Sequence, residues 1–284
     1  MSETLPFIKM HGIGNDFVVV SPEDAGRKLD WPRLARTTGD RHCGIGHDGL
    51  LLVERALGPA ADYRMRMFNP DGSESEMCGN GIRCFAKYLY DTGLTRNLTM
   101  AIETGAGIQR IRLLVDGDRV QAVTVDMGAP IFEPARIPVL SEQATVLRQP
   151  LTVDSHRFEI SAVSMGNPHA VAFVDDVQRI PLERVGPLVE HHPWFPRRVN
   201  FEVVAVQSRH ELTMRVWERG AGMTLACGSG ACAVMAVARR LGIVDDTVQV
   251  HLPGGDLSLQ WDGAGGVFMT GTATYVFQGE WPLH

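Results

Sequence analysis

The feature that most limits how this chain can fold is a repeat within its own sequence. The stretch MCGNGIRC (Met77 to Cys84) has a counterpart in ACGSGACA (Ala226 to Ala233), and Cys78 and Cys227 lie 149 residues apart. Met65 and Met214, which open MRMFNPDGSESEMCGNG and MRVWERGAGMTLACGSG, are separated by the same 149. Gly14-Asn15 in MHGIGNDF has a cousin in Gly166-Asn167 of SMGNPH. Two halves of one chain are therefore expected to fold as two similar lobes. With 284 residues, 44% of them hydrophobic, there is material for one large core or two ordinary ones.

Within each half, short β-rich runs alternate with occasional helices. FVVV (Phe17 to Val20), GLLLVE (Gly49 to Glu54), RMRMF (Arg64 to Phe68), IQRIRLLV and RVQAVTVDM read as strands in the first half. HAVAFV, VNFEVVAV and LTMRVW do so in the second. Helices are best supported after each cysteine. IRCFAKYLYDTG carries Ile82, Phe85, Ala86 and Leu89 at helical spacing with Gly93 to stop it, and ACAVMAVARRLG ends on two arginines and Gly242. PLERVGPLVEHH is a third helix, with Pro181 at its first helical position. Pro and Gly cluster in DMGAPIFEPARIP, and the boundary between the halves is placed there.

Each CGxG segment joins a strand to a helix. The first amides of a helix lack internal partners and its macrodipole adds positive charge there, so such an end favours a thiolate or a ligand carboxylate. Gly79, Gly81, Gly228 and Gly230 let a ligand approach the backbone, and Asn80 and Ser229 sit at cap-like positions. Moving a cysteine from about 8.5 to about 6.5 needs roughly 2.7 kcal/mol of preference for the thiolate. A helix end supplies about 0.3–2 kcal/mol. Further hydrogen bonds or a cation must contribute, and His169 and Arg219 are candidates. Two thiols in one cleft would titrate as a coupled pair with one keeping its proton, which suits an acid and a base on opposite faces of a carbon.

Other uses of these cysteines fit less well. Cys78 and Cys84 are six apart and Cys227 and Cys232 five, and neither spacing is CxxC, so no metal site is expected. A phosphate-cradling loop lacks its Walker lysine, and no GxGxxG is present at either site. Cys43, Cys84 and Cys232 are read as small buried hydrophobes.

MHGIGNDFVVV, FNPDGSESEMCGNGIRC, GNPHAV and ERGAGMTLACGSGACA, in an order covering nearly the whole chain, closely resemble the diaminopimelate epimerase family. The resemblance implies an α/β (α+β) fold of two pseudo-symmetric lobes, each a mostly antiparallel sheet wrapped around a central helix, with the active site in the cleft between them. The lobes would span 1–122, completed by the C-terminal strand 274–284 near ATYVFQG, and 123–273. It implies a cofactor-independent epimerase that interconverts LL- and meso-diaminopimelate on the route to lysine and peptidoglycan. Carried over by position, Cys78 and Cys227 are the catalytic thiols. Gly79, Asn80, Gly228 and Ser229 hold the α-carboxylate, while Asn15, Asn69, Asn167, Asn200 and Arg219 hold the far end of the substrate. Glu218 and His169 match positions that bind substrate or support the thiols. Gly49 and Met223 depart from a frequent glutamine and a frequent acidic residue of the family. Homodimers are common in the family, although no interface patch is visible in the sequence.

The rest of the composition narrows partner and compartment. A net charge of −6 with no basic stretch argues against nucleic acid. The start MSETLPFIKMHG has no basic segment before an apolar run, and about 18 consecutive apolar residues occur nowhere, so neither a signal peptide nor a membrane span is expected. Five cysteines, an odd number, suit free thiols in the cytoplasm. The nearest rival is a proline racemase-like or phenazine-type isomerase of the same fold. Arg219 with several asparagines favours an extended dicarboxylate, and phenazine-type members lack the cysteine pair. A non-catalytic amino-acid-binding protein would gain nothing from two thiols.

Overall fold

In a computed structural model, which describes residues 3–283, the chain divides into two compact units. One comprises Met1–Val125 with Gly271–His284, the other Asp126–Thr270. The first unit runs β1 (Thr4–Gly12), β2 (Asn15–Val20), α1 (Pro22–Ala25), α2 (Trp31–Gly39), β3 (Gly49–Arg55), β4 (Tyr63–Phe68), β5 (Glu74–Ser75), α3 (Gly79–Asp91), β6 (Thr99–Thr104), β7 (Gly107–Asp116) and β8 (Arg119–Asp126). The second runs β9 (Gln149–Val153), β10 (His156–Ser164), β11 (Pro168–Phe173), α4 (Leu182–Glu190), β12 (Asn200–Ser208), β13 (Glu211–Glu218), β14 (Gly222–Thr224), α5 (Gly228–Arg240), β15 (Thr247–Leu252), β16 (Gly255–Gln260) and β17 (Phe268–Gly271). The last strand, β18 (Thr274–Pro282), pairs antiparallel with β1 and so belongs to the first unit's sheet.

The repeat seen in the sequence is a repeat of topology. In the first unit β1 pairs antiparallel with β2, β2 parallel with β3, β3 antiparallel with β4, β4 parallel with β6, and β6, β7 and β8 follow antiparallel. In the second unit β10, β11, β12, β13, β15, β16 and β17 make the same succession, again with just two parallel steps. Strand β9 lies against β10 as β18 lies against β1. The fold is mixed α/β and mostly sheet, as the resemblance implies.

Each sheet carries helices on both faces, which explains the unbroken apolar runs of its strands. Alternation sends Val18, Val20, Leu50 and Leu52 into a cluster with Leu5, Trp31, Ala35 and Phe68. The intervening Phe17 and Leu51 point the other way, toward α3: a Cβ placed on Gly81 would meet both at 3.4 Å. In the second unit Phe201, Val203 and Ala205 pack with Leu182, Val185 and Val189 of α4. The small residues Ala231, Ala233, Ala236 and Ala238 let α5, buried from Gly230 to Ala238, approach its sheet closely. Among the described residues no helix is long and apolar enough to cross a membrane.

Three local readings need correction. The caps of α3 and α5 are Cys78 and Cys227 themselves, whose sulfurs accept from Gly81 N and Gly230 N, so Asn80 and Ser229 are the second helical residues, two positions past the caps. Pro181 is the cap of α4 and Leu182 its first residue. Cys43 is exposed, because it follows the cap of α2 in a loop where Asp40 accepts from the amides of His42 and Cys43 at 2.7 Å. Cys84 and Cys232 are buried as read. Helix α2 was not anticipated, although Asp30 accepts from Arg33 N and Pro32 lies in the first turn, a start signal present in DWPR.

Candidate active site

In the first unit the polypeptide brings Cys78, Asn15 and Asn80 together. Cys78 is half-buried at the N-terminus of α3, and Gly81 N donates to its sulfur at 3.4 Å. Its thiol donates to Asn15 Oδ1 at 3.8 Å, and Asn80 Nδ2 donates to the same oxygen at 3.1 Å. Asn15 follows the β1–β2 turn, where Gly14 has φ of 89° and replaces the side chain that such a backbone would strain.

A charged pedestal fixes the Asn15 amide. Asn15 Nδ2 donates to Asp48 Oδ2 at 2.7 Å, and Asp16 N donates to that oxygen at 3.1 Å. Arg41 Nη2 donates to both Asp16 Oδ1 and Asp48 Oδ1 at 2.7 Å, and Lys9 Nζ lies 2.5 Å from Asp16 Oδ2. Burial would raise the Asp16 carboxyl, but hydrogen bonds from Arg41 and Lys9 prevail and hold it at about 2. Asn69 stands apart in its hydrogen bonding, donating to Ser73 Oγ at 2.9 Å in its own turn. Gly49 is tightly packed: a Cβ there would meet Met67 Sδ and Phe17 Cδ1 at 3.1 Å, so a side chain at this position requires those neighbours to shift.

The second unit repeats the cap in different surroundings. Cys227 is buried, with Gly230 N donating to its sulfur at 3.3 Å and the Ser229 hydroxyl 3.6 Å away. Burial pushes the thiol well above the usual cysteine range, and the carboxylates of Glu218 and Glu202 push it further. Glu218 is itself raised by burial, opposed by hydrogen bonds from Thr224 and from the Cys227 thiol. Of the groups expected to favour a thiolate at this end, the Gly230 amide and the Ser229 hydroxyl contact the Cys227 sulfur. The Arg219 side chain does not, being exposed and donating to Arg197 O at 3.2 Å, while Glu218 and Glu202 oppose ionisation.

Around this thiol the remaining residues read from the sequence fall into two sets. His169 is fully buried, with Nδ1 2.7 Å from Glu202 Oε1 and Nε2 2.9 Å from Asn167 Oδ1. Asn167 Nδ2 in turn donates to Ser229 Oγ at 3.3 Å. Asn200 donates to Pro168 O at 3.0 Å and accepts from Arg219 N at 2.8 Å, setting where the Arg219 loop leaves β13. That loop is also held by Glu190, which accepts from Gly220 N at 3.0 Å and from Trp217 Nε1 at 2.7 Å.

The sequence reading missed Glu202, Glu190 and Asp48. A signal for Glu202 existed: it is a lone acidic residue in the apolar run VNFEVVAV, on the same strand face as Asn200. Asp48 and Glu190 carried no comparable signal, being single acidic residues in polar or helical stretches.

Comparison with known proteins follows the same lines. Residues 7–133 and 161–276 match the family described as Diaminopimelate epimerase. A diaminopimelate epimerase of Moorella thermoacetica is 51% identical over 278 residues, spanning 98% of this chain and 99% of that protein. One from Methanococcus maripaludis is 46% identical, spanning 97% and 99%. Among solved structures, a Bacillus anthracis phenazine biosynthesis protein of the PhzF family superposes with a TM-score of 0.73 at 19% identity, covering 99% of this chain and all of the other. A hydroxyproline epimerase from Agrobacterium vitis does so at 0.71 and 16%, covering 100% and 94%. At those identities the structural neighbours share the fold, whereas the sequence matches run the length of the molecule. The chain belongs to the diaminopimelate epimerase family.

Proposed function

We propose that this protein is an isomerase that interconverts LL- and meso-diaminopimelate by proton transfer at the α-carbon, without a cofactor. The observation that carries the reading is the pair of matching helix ends, each 13-residue helix capped by its own cysteine sulfur. Family membership supplies the substrate.

In this reading Cys78 reacts as the thiolate, its thiol proton having passed to solvent, and its sulfur takes the α-proton, so the Cα–H bond breaks and an S–H bond forms. The Cys227 thiol gives its proton to the opposite face, so its S–H bond breaks and the new Cα–H bond forms. The roles exchange in the reverse direction. The high affinity of Cys227 for its proton suits it to enter as the acid. Glu218, hydrogen-bonded to that thiol and raised by burial, can take up and return its proton. The carbanion between the two steps needs preorganised dipoles, and the first amides of the two helices, those of Gly79 and Asn80 and of Gly228 and Ser229, are aimed at a carboxylate in this scheme. His169 and Glu218 support the thiols, while Asn15, Asn69, Asn167, Asn200 and Arg219 take the distal amino-acid group. An analogue lacking that group would leave several of them unpaired and be rejected. We further place the enzyme in the cytoplasm as a homodimer, which the five free cysteines and the family resemblance favour.

The test is incubation of LL-diaminopimelate with the protein alone in heavy water, with L-proline in parallel. Deuterium should appear at one α-carbon of diaminopimelate and not in proline, and Cys78→Ala or Cys227→Ala should slow the exchange by about 100- to 10,000-fold. Deuterium in proline alone, or full exchange in either alanine variant, would refute the reading.

A further inference from the structure

Glu202 is a fully buried carboxylic acid that the reaction scheme above does not use. It lies on β12 beside β11, where the parallel register sets Asn200 opposite His169 and Glu202 opposite Val171. The ionisable groups facing it are His169 from β11, Glu218 from β13 and Cys227 from the start of α5. Among the described residues its Oε2 has no hydrogen-bond partner, and the carboxyl is held through Oε1 and the imidazole. Space for it exists because residue 230 is glycine: a Cβ there would sit 2.8 Å from Glu202 Oε1 and 3.1 Å from Cys227 Sγ.

The hydrogen bonds from Glu202 outward run in one sense. His169 Nδ1 meets Glu202 Oε1 at 2.7 Å, Nε2 meets Asn167 Oδ1 at 2.9 Å, Asn167 Nδ2 meets Ser229 Oγ at 3.3 Å, and Ser229 Oγ lies 3.6 Å from Cys227 Sγ. Asn167 Oδ1 can only accept, so Nε2 must carry a proton. Two arrangements satisfy this: an imidazolium beside a carboxylate, or an Nε2–H imidazole receiving a proton from the carboxylic acid at Nδ1. Both leave Nε2–H as a donor and the buried pair neutral overall, which burial favours. Were the ring to carry its proton on Nδ1 alone, Asn167 would have to turn its amide nitrogen toward Nε2. Its oxygen would then face Ser229 and draw the hydroxyl proton away from the sulfur.

We infer that Glu202 is a positioning residue: by occupying the Nδ1 side of His169 it makes Nε2–H the donor to Asn167, which orients that amide and leaves the Ser229 hydroxyl proton free to point at the Cys227 sulfur. The inference deepens the epimerase reading and rests on Cys227 being one of its two thiols. It gives the second unit a built-in hydrogen-bond donor for the thiolate that forms when Cys227 releases its proton.

The test is nitrogen-15 NMR of the histidine rings in the unliganded full chain, combined with deuterium-exchange kinetics. In the wild type the His169 Nε2 should carry a proton at neutral pH, as its contact with Asn167 Oδ1 requires. An Nε2 bearing a lone pair there overturns the inference. In Glu202→Met the fixed Nε2–H signal should be lost. A wrong imidazole tautomer slows hydrolytic triads by about 10,000-fold. Here the effect passes through an amide and a hydroxyl, so kcat should fall by about tenfold to hundredfold, with a smaller change in KM. Glu202→Gln, whose amide can donate to Nδ1, should restore both the ring signal and most of kcat. Wild-type kcat and ring signal in Glu202→Met would overturn the inference; if that variant does not fold, the wild-type spectrum and Glu202→Gln still decide. Because the ring is observed without substrate, a wild type that shows the signal but exchanges no deuterium refutes the epimerase reading and supports the hydrogen-bond assignment.

Discussion

Replacing Asp16 by asparagine removes the charge at the centre of the lattice that orients Asn15 beside Cys78. The Asp16 carboxylate lies 2.5 Å from Lys9 Nζ and 2.7 Å from Arg41 Nη2. Although burial alone would raise it, hydrogen bonds from Arg41 and Lys9 bring it from 3.8 to about 2. At about 1.4 kcal/mol per pH unit, that gap corresponds to a ceiling of about 2.4 kcal/mol. The Arg41 side chain is 56% exposed, and solvent screening reduces the expected contribution to about 1 kcal/mol. A carboxyl held down in the folded state stabilises above its unfolded value and loses that stability as pH falls through the folded one. The contribution is thus complete above about pH 5, close to half lost by about pH 3, and absent below about pH 2. Urea unfolding of the wild type and of Asp16→Asn, compared from pH 6 down to pH 3, measures it. The variant should be less stable by about 1 kcal/mol at the upper end, with the difference falling to roughly half at the lower. A difference that stays level or grows as the pH falls would refute the argument.

Two further expectations concern the second unit. The Glu218 carboxylate is one of the groups that raise the Cys227 thiol, so Glu218→Gln should shift the pH midpoint of Cys227 alkylation downward. Peptide mass spectrometry after timed labelling reads this, and an unchanged or higher midpoint would contradict the assigned electrostatics. Glu190 accepts from Trp217 Nε1 and Gly220 N while almost fully buried. Glu190→Gln turns a donor toward one of those N–H groups and should cost about 1–3 kcal/mol in urea unfolding followed by tryptophan fluorescence; a loss below about 0.5 kcal/mol would show that the loop does not depend on it.

Much of this architecture is legible in the sequence. The constant offset between Cys78 and Cys227 reflects two units with the same order of parallel and antiparallel steps. The runs FVVV, GLLLVE and VNFEVVAV are strands because both of their faces are covered. Helix α2 escaped notice because only Trp31 and Ala35 supply its buried apolar positions, the rest of its inner face being Thr38 and Gly39. Strand β1 was likewise unread, its pattern broken by the buried Lys9, which is charged yet inward-facing because Asp16 and Gly46 O receive it.

At the functional ends the division has a physical cause. A cap is a matter of three residues, since the sulfur of Cys78 reaches only as far as Gly81 N and that of Cys227 as far as Gly230 N. Such short-range geometry is written in CGNG and CGSG, and the sequence by itself determined that both helices begin on a cysteine. What surrounds each sulfur was decided by the tertiary structure. Asp48 reaches Asn15 across 33 residues and Glu202 reaches His169 across another 33, in both cases because a parallel strand pairing lays distant segments side by side. Charge and burial at a site depend on those long-range neighbours, so two near-identical motifs end in unlike environments: Cys78 half-buried among amides, Cys227 buried among carboxylates.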